Sequence, residues 1–201
     1  MVSQQINDLL SRPANAIDED VILDAAYELL VAVGVRRLNM ADIARQAGVS
    51  RATLYRRWPN VRSVIGALMT REWAGLAASG YAHRAPHARA ALVQTVVEIA
   101  AAIRQHPLLR KVIDVDPEFL LPYLLQREGT STGQQLDLIE QGIRAGVADG
   151  SIRAGTPSLQ ARSVLLTARS FALSGPVLVD ARQLKALDRE LTEMLDRYLS
   201  P

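Results

Sequence analysis

The stretch from Asn39 to Pro59, NMADIARQAGVSRATLYRRWP, decides how this chain folds. Met40, Ile43, Ala44 and Ala47 recur at i, i+3, i+4 and i+7, which places one apolar stripe along an α-helix. Asn39 precedes the stripe as an N-cap, and Asp42 sits in the first turn, where the helix dipole favours an acid. Gly48 follows the last periodic residue, a position where glycine takes left-handed backbone without penalty, and Val49 can fill the corner behind it. Ser50 then caps a second helix, Arg51 to about Trp58. Pro59 ends that helix, because the residue before a proline is pushed out of the α region.

At 100° per residue the second helix gathers Leu54 and Trp58 on one face and spreads Ala52, Thr53, Tyr55 and Arg56 over the rest. Its buried face is narrow and its exposed face carries hydrogen-bonding groups. From Gly34 to Arg71 there are eight arginines (36, 37, 45, 51, 56, 57, 62 and 71) against one acid, Asp42, a local balance of +7 in a chain of net charge +2. The positive charge is therefore concentrated around these two helices. A compact helix-turn-helix with a polar, basic second helix suits the major groove of double-stranded DNA: cations meet phosphates, and short polar and methyl groups meet base edges.

The run from Leu38 to Trp58, LNMADIARQAGVSRATLYRRW, resembles the DNA-binding domain of the TetR family of bacterial transcriptional regulators. The core of the likeness is the "IA...AGVS...TLY" pattern followed by an aromatic residue and a new helix. It covers roughly the first third of the chain; the rest resembles the family in length and helical character. The fold expected is all-α, a three-helix helix-turn-helix head plus a larger helical-bundle regulatory domain, about nine helices in all.

Composition agrees with that class. The 201 residues suffice for a core without staples, and with no cysteine neither disulfides nor thiolate metal sites can form. Hydrophobic residues make up 49% and aromatics only 4%, with Ala, Leu and Val dominating, which favours packed helices over sheets. The longest uncharged stretch, Trp73 to His83 with histidine neutral, is 11 residues, too short to span a bilayer, and the first residues lack a basic-then-apolar signal pattern. A soluble, cytoplasmic protein is expected, without a membrane partner.

In chain order, residues 1–17 read as a loose polar arm broken by Pro13. Residues 18–60 form the head, whose first helix begins among Asp18, Glu19, Asp20 and Asp24. That helix has Val21, Ile22, Ala25, Leu29, Leu30 and Val33 as its apolar face and stops at Gly34. A connecting helix over 61–79 carries the stripe Val64, Ile65, Leu68, Met69 and Trp73. Gly80 to His87 breaks the periodicity and opens the body, residues 80–201. Helices are expected there over Ala88–Gln105, around Leu108–Ile113, over Pro117 to about Gln126, from about Gln134 to Ala148, from about Leu159 to Ser174 and from about Ala181 to Leu199. Arg127 to Gly133 reads as a loop.

For the site, Arg51 and Arg56 can each reach a guanine edge or a phosphate, while the methyls of Ala52 and Thr53 suit thymine and the Thr53 hydroxyl a base or a phosphate. By resemblance, Tyr55 occupies the family's phosphate-bonding tyrosine position, and Asn39 stands where many members have Thr. Arg57 flanks the core face, toward a phosphate or an acid of the first helix. Family members commonly carry a Lys three residues after the aromatic; this chain has Val61 there, and Arg62 next to it is expected to take over the phosphate contact.

The resemblance also implies a homodimer through the last two helices, reading a palindromic operator, and a small-molecule effector inside the body. Val164, Leu165, Ala168, Phe171 and Ala172, then Leu184, Leu187, Leu191, Met194, Leu195 and Tyr198, can face either a second copy or the chain's own core. The residues expected to line the effector site are Trp73, Ile103, Phe119, Tyr123, Ile139 and Phe171, an apolar set that suits a largely apolar ligand and equally suits plain core.

No cofactor, metal or catalytic residue is expected. His83 and His87 are spaced i, i+4, but Pro86 interrupts a shared helix and no nearby carboxylate completes a metal set. His106 precedes a proline, and no phosphate loop, nucleophile elbow or HExxH occurs. The competing readings are a helix-turn-helix architectural or adaptor protein without a ligand, and a helical cytosolic enzyme.

Overall fold

The computed structural model describes residues 19–80, 85–122 and 129–201. Among them are ten α-helices and two 3-10 turns, and no strand. They form two compact units, one ending at Ile65 and the other beginning at Gly66. The division falls inside one helix, α4 (Val61–Gly80). The arm over 1–17, His83, Tyr123 and the expected helix end near Gln126 lie outside the described residues.

The first unit holds α1 (Glu19–Val33), α2 (Met40–Gln46) and α3 (Arg51–Arg57) with the first turn of α4. Ile22, Leu23, Ala26 and Leu30 of α1 are buried together with Leu38, Met40, Ile43, Ala44, Leu54, Trp58, Val64 and Ile65. The buried face of α1 differs from the one expected, since Val21 and Val33 are exposed and Leu23 and Ala26 are inside. Val21 is turned by about 100° from Ile22 and so leaves the stripe centred on Ala26, while Val33 is the last helical residue, beyond the core.

The second unit is a bundle of α5 (Ala88–Gln105), α7 (Thr130–Ala148), α8 (Pro157–Leu173) and α10 (Leu184–Leu199). Its core joins Val93, Val96, Ile143, Val164, Leu191 and Leu199 with their neighbours. The short α6 (Pro107–Val115), a 3-10 turn at Pro117–Phe119, α9 (Gly175–Leu178) and a 3-10 turn at Ala181–Gln183 complete it. Two ion pairs tie α5 to α10, Arg89 to Asp196 at 3.0 Å and Arg104 to Asp188. After α7, Arg153 clasps the end of α10: its backbone N–H donates to the Leu199 carbonyl and its Nε to that of Tyr198, with the guanidinium over the Tyr198 ring. The last carbonyls of a helix lack partners of their own, so this clasp supplies them.

One loop became helix. The sequence assigns Arg127 to Gly133 to a loop, yet α7 already begins at Thr130. The turn TSTG has poor helix propensity, but Thr132 is buried and its hydroxyl accepts a hydrogen bond from Arg169 of α8, a tertiary contact that outweighs propensity. Among the described residues no helix is long and apolar enough to cross a membrane.

Candidate functional site

The corner between α2 and α3 is a Schellman turn. The Val49 N–H donates to the Ala44 carbonyl at 2.9 Å and the Gly48 N–H to that of Arg45 at 3.2 Å, with Gly48 at φ +65°. Asn39 caps α2 by accepting from the Asp42 N–H at 2.9 Å, and Ser50 caps α3 by accepting from the Thr53 N–H at 3.0 Å. α3 is thereby fixed at its first turn and anchored by Leu54, which is fully buried. Trp58 is buried too, but from extended backbone at φ −131° just past the helix, as Pro59 requires.

With that anchor, Arg51, Ala52, Tyr55, Arg56 and Arg57 are exposed and Thr53 is half-buried. Tyr55 is 52% exposed, so about half of it is open to solvent on this surface. The Thr53 hydroxyl lies 2.8 Å from that of Ser50, which orients it along the helix start. Arg62 is exposed on the first turn of α4, itself capped by Asn60, whose side chain accepts from the Ser63 N–H. The acid of this surface is occupied: Asp42 accepts from the Asn39 amide and pairs with Arg45, both at 2.6 Å. Asn39 is thus committed to Asp42 through both ends of its amide, a pairing that the sequence did not disclose.

The second unit has a partly open cavity of about 260 Å³ between α5, α7 and α8, with Trp73 of α4 in its wall. Trp73, Ile103 and Ile139 line it, whereas Phe119 and Phe171 do not. Phe119 is buried where its 3-10 turn ends, and Phe171 packs against the core of the bundle. Sequence reasoning passed over the residues that make the space. Ala88 and Ala91, Gly142 and Ala145, Ala168 and Ala172 line it from three helices, and small residues at helical spacing on facing helices were the available signal. It also passed over Arg169, the one charged side chain among the described wall residues.

The loop after α7 fixes the start of α5 beside the cavity. The His87 side chain accepts from the Ala90 N–H, Asp149 accepts from the Ala88 N–H at 2.8 Å, and the Ser151 hydroxyl accepts from the Arg89 N–H. Hydrogen bonds from the Ser151 side chain and from the Ala88 and Ser151 backbone hold the Asp149 carboxyl down at about 2. Among the described residues no three His, Asp or Glu are grouped to hold a metal ion.

A helix-turn-helix that presents a basic, polar second helix, on a chain whose remainder is a helical bundle, defines the class of DNA-binding transcriptional regulators. Residues 22–68 match the model of the bacterial regulatory proteins of the tetR family. An HTH-type transcriptional regulator of Mycobacterium tuberculosis is 34% identical over 181 residues, 89% of this chain and 92% of that one. The chain belongs to the TetR family of bacterial transcriptional regulators. The fold is shared with the TetR-family repressor QsdR of Rhodococcus erythropolis, at a TM-score of 0.69 and 14% identity over 94% of this chain and 98% of that one. It is shared also with FadR of Bacillus subtilis, solved in complex with stearoyl-CoA, at a TM-score of 0.65 and 18% identity over 90% and 100%.

Proposed function

We propose that the protein is a cytoplasmic repressor that binds a palindromic operator as a homodimer and is released by a small, largely apolar ligand. The observation that carries the ligand is the cavity of about 260 Å³ in the second unit, lined mostly by alanine, leucine, isoleucine and valine. An architectural protein has no need of such space, and a filled core would have been more stable. The FadR structure with stearoyl-CoA supports the reading, since that ligand carries a long apolar chain.

In this reading Arg51, Ala52, Thr53 and Arg56 face bases and Tyr55, Arg57 and Arg62 face phosphates, while Asn39, expected from sequence at a phosphate, is held by Asp42 as the cap of α2. The division of labour is an arm over 1–17, a head over 18–60, a connecting helix over 61–79 and a sensing and dimerising body over 80–201. One head spans a few base pairs, so two heads are needed on successive major grooves about 34 Å apart. The faces left for a second copy are on the last helices: Leu159 and Leu166 of α8 are 63% and 68% exposed, and Met194 and Tyr198 of α10 are exposed one turn apart. Large apolar side chains aligned in stripes on a surface mark an interface. Ligand favours a body state that no longer holds the two heads at groove spacing, with α4 as the helix common to both units. A difference of about 1–3 kcal/mol in ligand affinity between the two states changes operator binding about 5- to 150-fold.

Selection of bound sequences from a random DNA pool tests the reading. A palindrome is expected, and an Arg51→Ala, Tyr55→Ala double variant that still folds should lose it. Absence of any enriched sequence would sink the proposal. On the operator so found, Arg62→Ala should lower the slope of log K against log salt by about 0.9, the loss of one phosphate contact. An unchanged affinity and slope would remove Arg62 from the interface.

A further inference from the structure

The first helix of a helix-turn-helix crosses the DNA backbone while the second enters the groove, so the exposed side of α2 is the one that meets phosphates. An acid on that side is out of place. The stretch from Gly34 to Arg71 has only one, Asp42, against eight arginines. With Met40, Ile43 and Ala44 of α2 buried, Asn39, Asp42 and Arg45 follow one another along its other side in steps of three residues. Asp42 holds both neighbours. One carboxylate oxygen accepts from Arg45 Nη2 and the other from the Asn39 side-chain amide, each at 2.6 Å, while the Asn39 side-chain oxygen accepts from the Asp42 N–H. The Arg45 side chain is nevertheless 78% exposed and that of Asp42 32%. An ion pair this open to water adds little to stability, so folding gives a thin reason for it. A phosphate would offer the same guanidinium and amide donors the same kind of anionic oxygen.

We infer that Asp42 stands in for a DNA phosphate: its carboxylate occupies Arg45 and Asn39, withholds one cation from the backbone and so lowers the sequence-independent part of DNA binding. The inference rests on the DNA-binding part of the reading above and is independent of the ligand. Phosphate contacts carry no sequence information, so the device weakens the hold on every duplex alike and leaves the choice of bases to α3.

The probe is a duplex of roughly 30 base pairs and arbitrary sequence, its affinity for the full chain read by fluorescence anisotropy from about 50 to 200 mM salt. Asp42→Asn leaves the backbone N–H that Asn39 caps in place. It is expected to steepen the slope of log K against log salt by about 0.9, one added phosphate contact, and to raise affinity about 5-fold near 0.15 M. Asp42→Ser should reproduce the gain and guards against a folding defect peculiar to the asparagine variant. Asp42→Glu, which restores the carboxylate, should rescue the parent's slope, and adding Arg45→Gln to Asp42→Asn should abolish the gain. Glu28→Gln controls for net charge. Glu28 of α1 accepts from the neutral Gln46 amide at 3.0 Å, so neutralising it adds the same charge to the head without freeing a guanidinium, and the slope should change far less. An unchanged slope in both neutral Asp42 variants would overturn the inference. So would an equal steepening by Glu28→Gln, or a gain that survives Arg45→Gln. A parent chain that binds no duplex would instead overturn the DNA-binding reading on which it rests.

Discussion

Replacing Gly48 at the corner of the helix-turn-helix separates two reasons why a glycine can be required. A Cβ added there has no heavy atom within 4 Å, so space is not the constraint; the backbone at φ +65° is. The left-handed conformation costs an L-residue about 1–2 kcal/mol. Alanine regains about 0.4–1 kcal/mol by restricting the unfolded chain, so Gly48→Ala should cost roughly 1 kcal/mol net. Gly48→Asn should cost less than alanine although asparagine is larger, since its short polar side chain tolerates this region. Gly48→Val should cost most, because a β-branched residue is strongly excluded from positive φ. Urea unfolding followed by Trp58 emission in a Trp73→Phe background reads the first unit, because Trp58 is buried there and the sequence has only two tryptophans. With a slope near 1 kcal/mol per molar, suited to a unit of this small size, the alanine variant should unfold at about 1 M lower urea with an unchanged slope. An order that follows side-chain size, with asparagine worse than alanine, would refute the conformational argument. So would an alanine variant as stable as the parent.

Two further predictions concern the second unit. Gly146 presents the opposite case, since it lies inside α7 and a Cβ there would stand 2.4 Å from the Ile152 side chain; Gly146→Ala should cost about 1–3 kcal/mol through overpacking. Adding Ile152→Ala should recover part of that loss, and strict additivity in a double-mutant cycle of denaturant unfolding would show that the clash is not the cause. For Asp149, the carboxyl is lowered from 3.8 to about 2 in the folded chain by the Ser151 hydroxyl and by backbone N–H groups of Ala88 and Ser151. The folded state therefore favours the charged form, and its contribution is complete above about pH 4 and disappears as pH falls through 2. Asp149→Asn should flatten the loss of thermal stability across that window, and a variant with the same acid slope as the parent would contradict the assignment.

What the sequence settled by itself was local. The Asn39 cap, the glycine corner, the Ser50 cap and the stop at Pro59 each depend on residues within a few positions of one another, and each is present with the hydrogen bonds that its residue type implies. The all-α class followed in the same way from helical periodicity and from the scarcity of aromatic residues, and the family from the pattern around the corner. Features that depend on what faces what were not legible. The buried arc of α1 includes Leu23 and Ala26 in place of Val21 and Val33, because the position of the core, and not the list of apolar residues, selects the arc. Thr130 to Gly133 is helical because Arg169, far along the chain, bonds Thr132. The cavity is decided in the same manner. It exists where small residues of α5, α7 and α8 meet one another across the bundle, which places Ile103 and Ile139 in its wall and leaves Phe171 in the core. A side chain's periodicity fixes its direction from its own helix axis, whereas the space in front of it depends on a neighbour set by tertiary packing. For that reason the caps and the corner could be named from sequence, and most of the residues around the cavity could not.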